Sequence, residues 1–438
     1  MTGFEICEQA GRTDVGVRRS HNQDAFAVVT CSDLEAWRER GHLFLVADGM
    51  GGHAVGELAS KLAVDLIPHT YQKHARQGVV PALRRAFSEA NASIHQRGRQ
   101  NQEFEGMGTT SSALLLRPDG AWIAHIGDSR IYRVRAGRIE QLTFDHSEQW
   151  ELARRLGVDP EQIQGVPHNR IFRSLGPEAQ AQVDIEGPHP VLPGDAYLLC
   201  SDGLSNQVSD REMGAIFSVL PADEACPLLI DLANLRGGPD NITAILVRLP
   251  GTPPDGAEPP AARPPRPRRG WSLRLPWAAL GLGAGISLAV LALVLVILGR
   301  PQLSVATFVL AALTLGAGLF GLYRQVRRET LGVPAPNPQD ESRPPRVYRQ
   351  TSCRIDKDLV DQLAQTTAQL EEQARAKNWQ VAWPAYREHH DAARAALARN
   401  DPPAAFREQC LALAVLTAAM RRHRSKGEVF QPLWEGAD

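Results

Sequence analysis

Four aspartates, Asp48, Asp128, Asp202 and Asp240, each stand at the edge of an apolar strand with a glycine within two residues. The stretch Val46 to His53 shows the pattern most fully: an apolar strand, His42 to Ala47, ends in Asp48-Gly49-Met50-Gly51-Gly52-His53 and passes to a helix beginning near Gly56-Glu57. A carboxylate followed by glycines places negative charge and bare backbone carbonyls in one small volume, which suits a hard cation. At any single position an ordinary turn with a helix N-cap reads the same way. Four such positions within the first 250 residues are better explained by convergence on a shared site. Carboxylates gathered at low dielectric repel one another unless cations intervene. The cysteines and histidines lack zinc spacing, so an all-oxygen donor set points to magnesium or manganese.

The rest of this region reads as scaffolding. Leu58, Leu62 and Leu66 mark a one-sided helix from Gly56 to about Tyr71, and Leu83, Phe87 and Ile94 a second from about Val80 to Arg97. Alternating strands to Leu116 and from Trp122 to Ile126 flank the hairpin turn Pro118-Asp119-Gly120. From Asp145 to about Gly176 the pattern turns polar and helical, too long for a hairpin loop, and reads as an excursion over one face. Lysine and arginine (48) nearly balance aspartate and glutamate (49), so no broad nucleic-acid footprint is expected. Six scattered cysteines, with no Cys-x-x-Cys pair and a polar N-terminus, point to a reduced setting without disulfides.

Seven short motifs occur in order: Thr-Asp-x-Gly-x-x-Arg-x-x-Asn-x-Asp, Val-Ala-Asp-Gly-Met-Gly-Gly-His, Met-Gly-Thr-Thr, His-Ile-Gly-Asp-Ser-Arg, Leu-Thr-x-Asp-His-Ser, Cys-Ser-Asp-Gly-Leu and Gly-Gly-x-Asp-Asn-Ile-Thr. In this the chain resembles the metal-dependent, type 2C serine/threonine protein phosphatases, bacterial type, over roughly residues 4 to 249. The resemblance implies an α+β fold: a four-layer α-β-β-α sandwich of two antiparallel sheets with the metals at one end. It implies that Asp48 bridges two Mn2+ or Mg2+ ions and that the Gly49 carbonyl binds one of them. Asp202 and Asp240 would complete the first ion's shell, Asp24 would act through metal-bound water, and Asp128 would help hold a third, weaker ion. Arg19 matches the position that grips the substrate phosphate, while its neighbour Arg18 reads as a surface residue. Two departures stand out: Gln23 replaces a frequent glutamate, and Val166 to Arg170 matches the family's flap only loosely. His53 and His146 are candidate proton donors, although loop histidines more often only hydrogen-bond backbone.

Past Pro250 the composition changes. Residues 1–250 are assigned to the catalytic domain and 251–276 to a Pro/Arg-rich linker. Trp277 to Leu298 carries no charge and, at 1.5 Å per residue, would span about 33 Å. Leu303 to Tyr323 forms a second uncharged run, so 277–323 are expected to be two transmembrane helices, with basic flanks placing both large domains in the cytoplasm. A basic and Pro-rich linker, 324–350, leads to a helical bundle, 351–438, in which Leu359, Leu363 and Leu370 give one apolar face and Pro384 and Pro402 mark later helix starts. The expected protein is a membrane-anchored phosphatase acting on phosphoserine and phosphothreonine in proteins. Its expected partners are phosphorylated proteins, a serine/threonine kinase and membrane lipid, with no nucleic acid. The rival reading is a membrane scaffold or sensor whose phosphatase-like domain binds phosphoproteins with little turnover.

Overall fold

A computed structural model describes residues 8–51, 55–100, 102–163, 165–166, 170–251, 277–330 and 342–424, with no side chain described at 277–285, 301, 317–330 or 424. The chain begins with β1 (Glu8–Asp14), β2 (Asp24–Val29), α1 (Leu34–Arg40), β3 (His42–Met50), α2 (Val55–His74) and α3 (Val79–Gly98). Five strands follow, β4 (Gly108–Thr109), β5 (Ser111–Arg117), β6 (Gly120–Ile126), β7 (Arg130–Arg135) and β8 (Arg138–Gln141), and then α4 (Glu148–Leu156). Next come β9 (Asp184–His189), β10 (Ala196–Cys200), α5 (Asp202–Ser205), α6 (Asp210–Val219), α7 (Ala222–Leu235) and β11 (Ile242–Arg248). The remainder comprises α8 (Trp277–Ile297), α9 (Pro301–Thr330), β12 (Arg349–Ser352), α10 (Lys357–Ala376), α11 (Trp383–Ala398) and α12 (Pro402–Arg424).

Two antiparallel sheets result, one in the order β1-β11-β10-β7-β8-β12, the other β2-β3-β5-β6-β9 with β4 on β3. The alternation of side chains along a strand explains why both faces of β3 are apolar. Leu43, Leu45 and Ala47 join the core under α2 and α3, while Phe44 and Val46 face Ile131, Tyr197, Leu199 and Ile245 of the other sheet. A third core lies outside that other sheet, beneath α6 and α7. The layers are therefore helix, sheet, sheet, helix, as the resemblance implies. Local chemistry sets the helix ends: Asp33 Oδ1 accepts from Ala36 N at 2.7 Å, and Ser209 and Glu212 close a capping box on α6.

In one respect β3 differs from its sequence reading. It does not stop at Ala47 before a glycine turn but runs to Met50, because Gly49 and Met50 pair with Thr109 and Gly108. Asp48 is thus held within a strand, opposite Asp24 of β2 and with its carbonyl accepting from Thr110 N at 2.8 Å.

The expected transmembrane pair, and with it the placement at a cell membrane, is overturned: no helix among the described residues is long and apolar enough to cross a membrane. These helices belong to a compact unit, 260–340, of their own. Within it α8 and α9 pack against each other, with Ala292 and Ala311 buried and Ser304 Oγ donating to Ala292 O at 2.9 Å. Ile286, Val290, Leu293, Phe308 and Leu313 are exposed. Residues 252–276 and 331–341 of the expected linkers lie outside the described residues.

Residues 341–438 share a compact unit with 1–259. Arg349–Ser352, expected as linker and domain start, instead form β12 against β8. Leu359, Leu363, Leu370, Phe406, Cys410, Leu413 and Met420 are buried in the same core as Phe217, Leu229 and Leu246 of the catalytic layers. The helical tail and the outer sheet are therefore expected to unfold together. Phe406→Ala, which removes a fully buried ring, should cost about 3–5 kcal/mol. Denaturant titration should show this as one transition moved to lower midpoint, with fluorescence and circular dichroism coinciding.

Candidate active site

Asp24 begins β2 and lies directly opposite Asp48 of β3 in the antiparallel register. Like charges facing across two strands destabilise the pair, so these neighbours need compensation. Part of it is local. Ser201 Oγ and Thr243 Oγ1 donate to Asp24 Oδ2 at 2.7 and 2.6 Å, and Asp48 N donates to Thr110 Oγ1 at 2.9 Å. Asp202 opens α5 just past the end of β10, Asp240 precedes β11, and Asp128 lies in the turn between β6 and β7. Each strand thus delivers its aspartate to the same end of the sandwich.

Backbone approaches of very short range make this convergence possible. A Cβ on Gly49 would lie 2.0 Å from Gly56 O, in the first turn of α2, and one on Gly203 would lie 2.0 Å from Asn241 O. Any side chain there would push the aspartate-bearing segments apart. Asn241 ties the loops together: its Oδ1 accepts from Gln23 N at 2.8 Å, and its Nδ2 donates to Val15 O at 2.8 Å and His21 O at 3.0 Å.

The carboxylates perturb one another. Burial pushes Asp24 up to about 7, with Asp202 and Asp240 adding to the shift against the Thr243 and Ser201 hydrogen bonds. Asp48 is raised well above the ordinary range, first by burial and then by Asp24, Asp202, Asp128 and Asp240. Burial and then Asp240 raise Asp202 to about 6, and burial with Asp202 raises Asp128. Asp24 Oδ1 and Asp202 Oδ1 are buried with no hydrogen-bond partner among the described residues. Orphaned carboxylate oxygens among mutually repelling neighbours fit a bound cation. No three acidic, imidazole or thiol side chains among the described residues enclose an ion by themselves. A set that also uses the Gly49 carbonyl, with Asp24 reaching through water, does not require them to.

Arg19, 52% exposed in its side chain, donates from Nη2 to Asp240 Oδ2 at 2.8 Å. Arg18 is exposed beside it. Gln23 Nε2 donates to Gly51 O at 3.3 Å. His146 is buried, and Gly127 N donates to its Nδ1 at 3.1 Å. It holds the turn between β6 and β7. His53 lies outside the described residues. The holders Ser201, Thr243, Thr110 and Asn241 escape sequence reasoning as functional residues. The available signal was their position beside the aspartates in the same motifs.

A family model for protein phosphatase 2C matches residues 16–226. The serine/threonine phosphatase stp of Listeria monocytogenes is 36% identical over 242 residues, covering 54% of this chain and 93% of its own. The serine/threonine protein phosphatase PstP of Mycobacterium tuberculosis is 33% identical over 243 residues, covering 55% of this chain and 45% of its own. The solved serine/threonine phosphatase of S. agalactiae matches 55% of this chain and 98% of its own with a TM-score of 0.50 and 34% identity. The chain belongs to the protein phosphatase 2C family. Its activity is that of a metal-dependent protein serine/threonine phosphatase.

The raised carboxyl groups give stability a pH dependence of definite sign. Folded chains freed of divalent ions keep protons that the unfolded chain releases from about pH 4, so stability is full below that and lost as pH rises toward about 7. Melting temperatures of the metal-free protein should fall across this window, and added Mn2+ should reverse the loss at its upper end. A flat profile would mean that the carboxylates do not converge.

Proposed function

We propose that this phosphatase hydrolyses phosphoserine and phosphothreonine in proteins at the carboxylate cluster, with Asp24, Asp48, Gly49, Asp128, Asp202 and Asp240 holding Mn2+ or Mg2+. The observation that carries the reading is the packing of buried, mutually repelling aspartates, two with orphaned oxygens, at one end of the sandwich. The donors are all oxygen, which suits these hard ions. Bound divalent ions supply an acidified water as nucleophile and neutralise charge on the phosphoryl oxygens.

The chain's own residues do the remainder. Asp48, centrally placed among the other four aspartates, carries the charge on which the ion pair depends. Ser201 and Thr243 keep Asp24 turned inward, and Thr110 keeps the Asp48 backbone in register. Arg19 is spent on Asp240 in this structure, and its exposed guanidinium is placed to swing between that carboxylate and an arriving phosphate. A phosphoprotein substrate presupposes an enzyme that installs the phosphate, so a serine/threonine kinase is the opposing partner.

Asp48→Asn should abolish turnover of a phosphothreonine peptide while leaving a folded chain, since one source of repulsion is gone. Unaltered manganese-dependent activity in that variant would sink the assignment. EDTA should inactivate the wild type reversibly.

Arg19→Ala should lower kcat/KM by roughly 10- to 100-fold, the worth of one charged hydrogen bond of about 1.5–3 kcal/mol, mostly through KM. Steady-state kinetics of Arg18→Ala should show little change. Equal losses in both variants would show that the wrong arginine had been assigned to the phosphate.

A further inference from the structure

Residues 342–353 lie outside the family match yet touch both sheets. Arg343 runs beside β9, the last strand of its sheet, donating its N–H to Ile185 O at 3.0 Å and accepting at its carbonyl from Gly187 N at 3.2 Å. A few residues on, Tyr348 N donates to Gln141 O at 2.9 Å, and β12 then pairs along β8. One short strap therefore covers an edge of each sheet on the same side of the sandwich.

Two of its side chains reach inward toward His146. The Arg343 guanidinium donates to Asp184 Oδ2, and Asp184 also meets Arg173 Nη1 at 3.3 Å and His146 Nε2 at 3.4 Å. Burial works to raise the Asp184 carboxyl, but His146, Arg343 and Arg173 outweigh it and hold it well below the usual range. Tyr348 donates its hydroxyl to Glu186 and lays its ring 5.6 Å from that of Phe144, whose carbonyl takes His125 Nε2 at 2.9 Å. The His125 ring stacks on His146 at 4.9 Å.

His146 grips the turn that carries Asp128 from both sides. Its backbone N donates to Gly127 O at 2.7 Å, and its Nδ1 accepts from Gly127 N at 3.1 Å. With Nδ1 accepting, the ring proton belongs on Nε2, the nitrogen facing Asp184. Gly127 has φ +111°, and a Cβ there would meet Thr110 Cβ at 2.5 Å, so the turn has one tight conformation to be held in.

We propose that Arg343 is a positioning residue: through Asp184 and His146 it fixes the Gly127–Asp128 turn and so sets the Asp128 carboxylate for metal. The proposal rests on the reading that Asp128 is a metal ligand. Strap and helical tail thereby gain a direct line to the site, since β12 and α10 continue from the same segment.

The test uses the full chain with Arg343→Ala, Arg343→Lys and Asp184→Asn. In the metal-free protein, hydrogen exchange of the peptide spanning Gly127 and Asp128 should quicken in Arg343→Ala while β10 and β11 keep their protection. In manganese calorimetry the weakest site should loosen by roughly 10-fold, with tighter sites unmoved, the size expected for groups that orient a ligand. Lysine should restore most of the protection, and Arg343→Ala added to Asp184→Asn should have no further effect, because both act along one path. Additive effects, or wild-type exchange and wild-type isotherms in both single variants, would overturn the proposal. If Arg343→Ala fails to fold, the Asp184→Asn exchange decides the question. Should the wild type bind no manganese, the metal reading fails, and exchange at the turn still decides whether Arg343 positions it.

Discussion

Electrostatic repulsion between Asp24 and Asp48, set face to face on neighbouring strands, is the constraint around which the catalytic layers are arranged. Two hydroxyls from another sheet, those of Ser201 and Thr243, come to Asp24, so the price of the opposed pair already draws the sandwich together at this end. Thr110, between β4 and β5, does the same for the Asp48 backbone. Asp128, Asp202 and Asp240 then add charge to the same volume. Such a cluster persists only where the surrounding cores, each well buried, outweigh the repulsion.

The helical tail is bound into this arrangement in two ways. Its apolar faces extend the core beneath α6 and α7, which ties its folding to that of the outer sheet. Charged contacts at its margins, Arg211 with Asp356 at 2.5 Å and Arg421 with Asp231, fix its register over the helix layer. Arg211 and Asp356 are too exposed to contribute much stability, whereas Asp231 is buried and would be costly to leave unpaired. The strap preceding the tail touches the edges of both sheets, so a change in the tail's packing would reach residues near Asp128.

Much of the site was legible because its signal is local. Asp48, Asp128, Asp202 and Asp240 carry their glycines beside them, and the glycines are required by contacts as short as the Gly49 to Gly56 approach. The α4 helix, capped by Ser147 and ended by left-handed Gly157, could be read from the same kind of local chemistry. The hydroxyls holding Asp24 were not legible as such, since Ser201 and Thr243 lie some two hundred residues from it in the chain. The expected membrane spans failed for a related reason: an apolar run reports composition, while crossing a bilayer is a property of a whole helix in place.

What the sequence by itself determined is therefore the local grammar: which segments other than β9 and β12 are strands, where backbone must approach backbone without a Cβ, and which carboxylates sit at strand edges. Periodicity and turn chemistry act over a few residues, so they survive reading along the chain. Tertiary structure alone decided that Asp24 faces Asp48, that Arg19 rests on Asp240, and that Arg343 reaches Asp184 from 159 residues away. These are pairings across sheets and edges, set by how layers stack and which strand borders which. No spacing along the chain encodes them, because the contacts form only after the two sheets have closed over a common core.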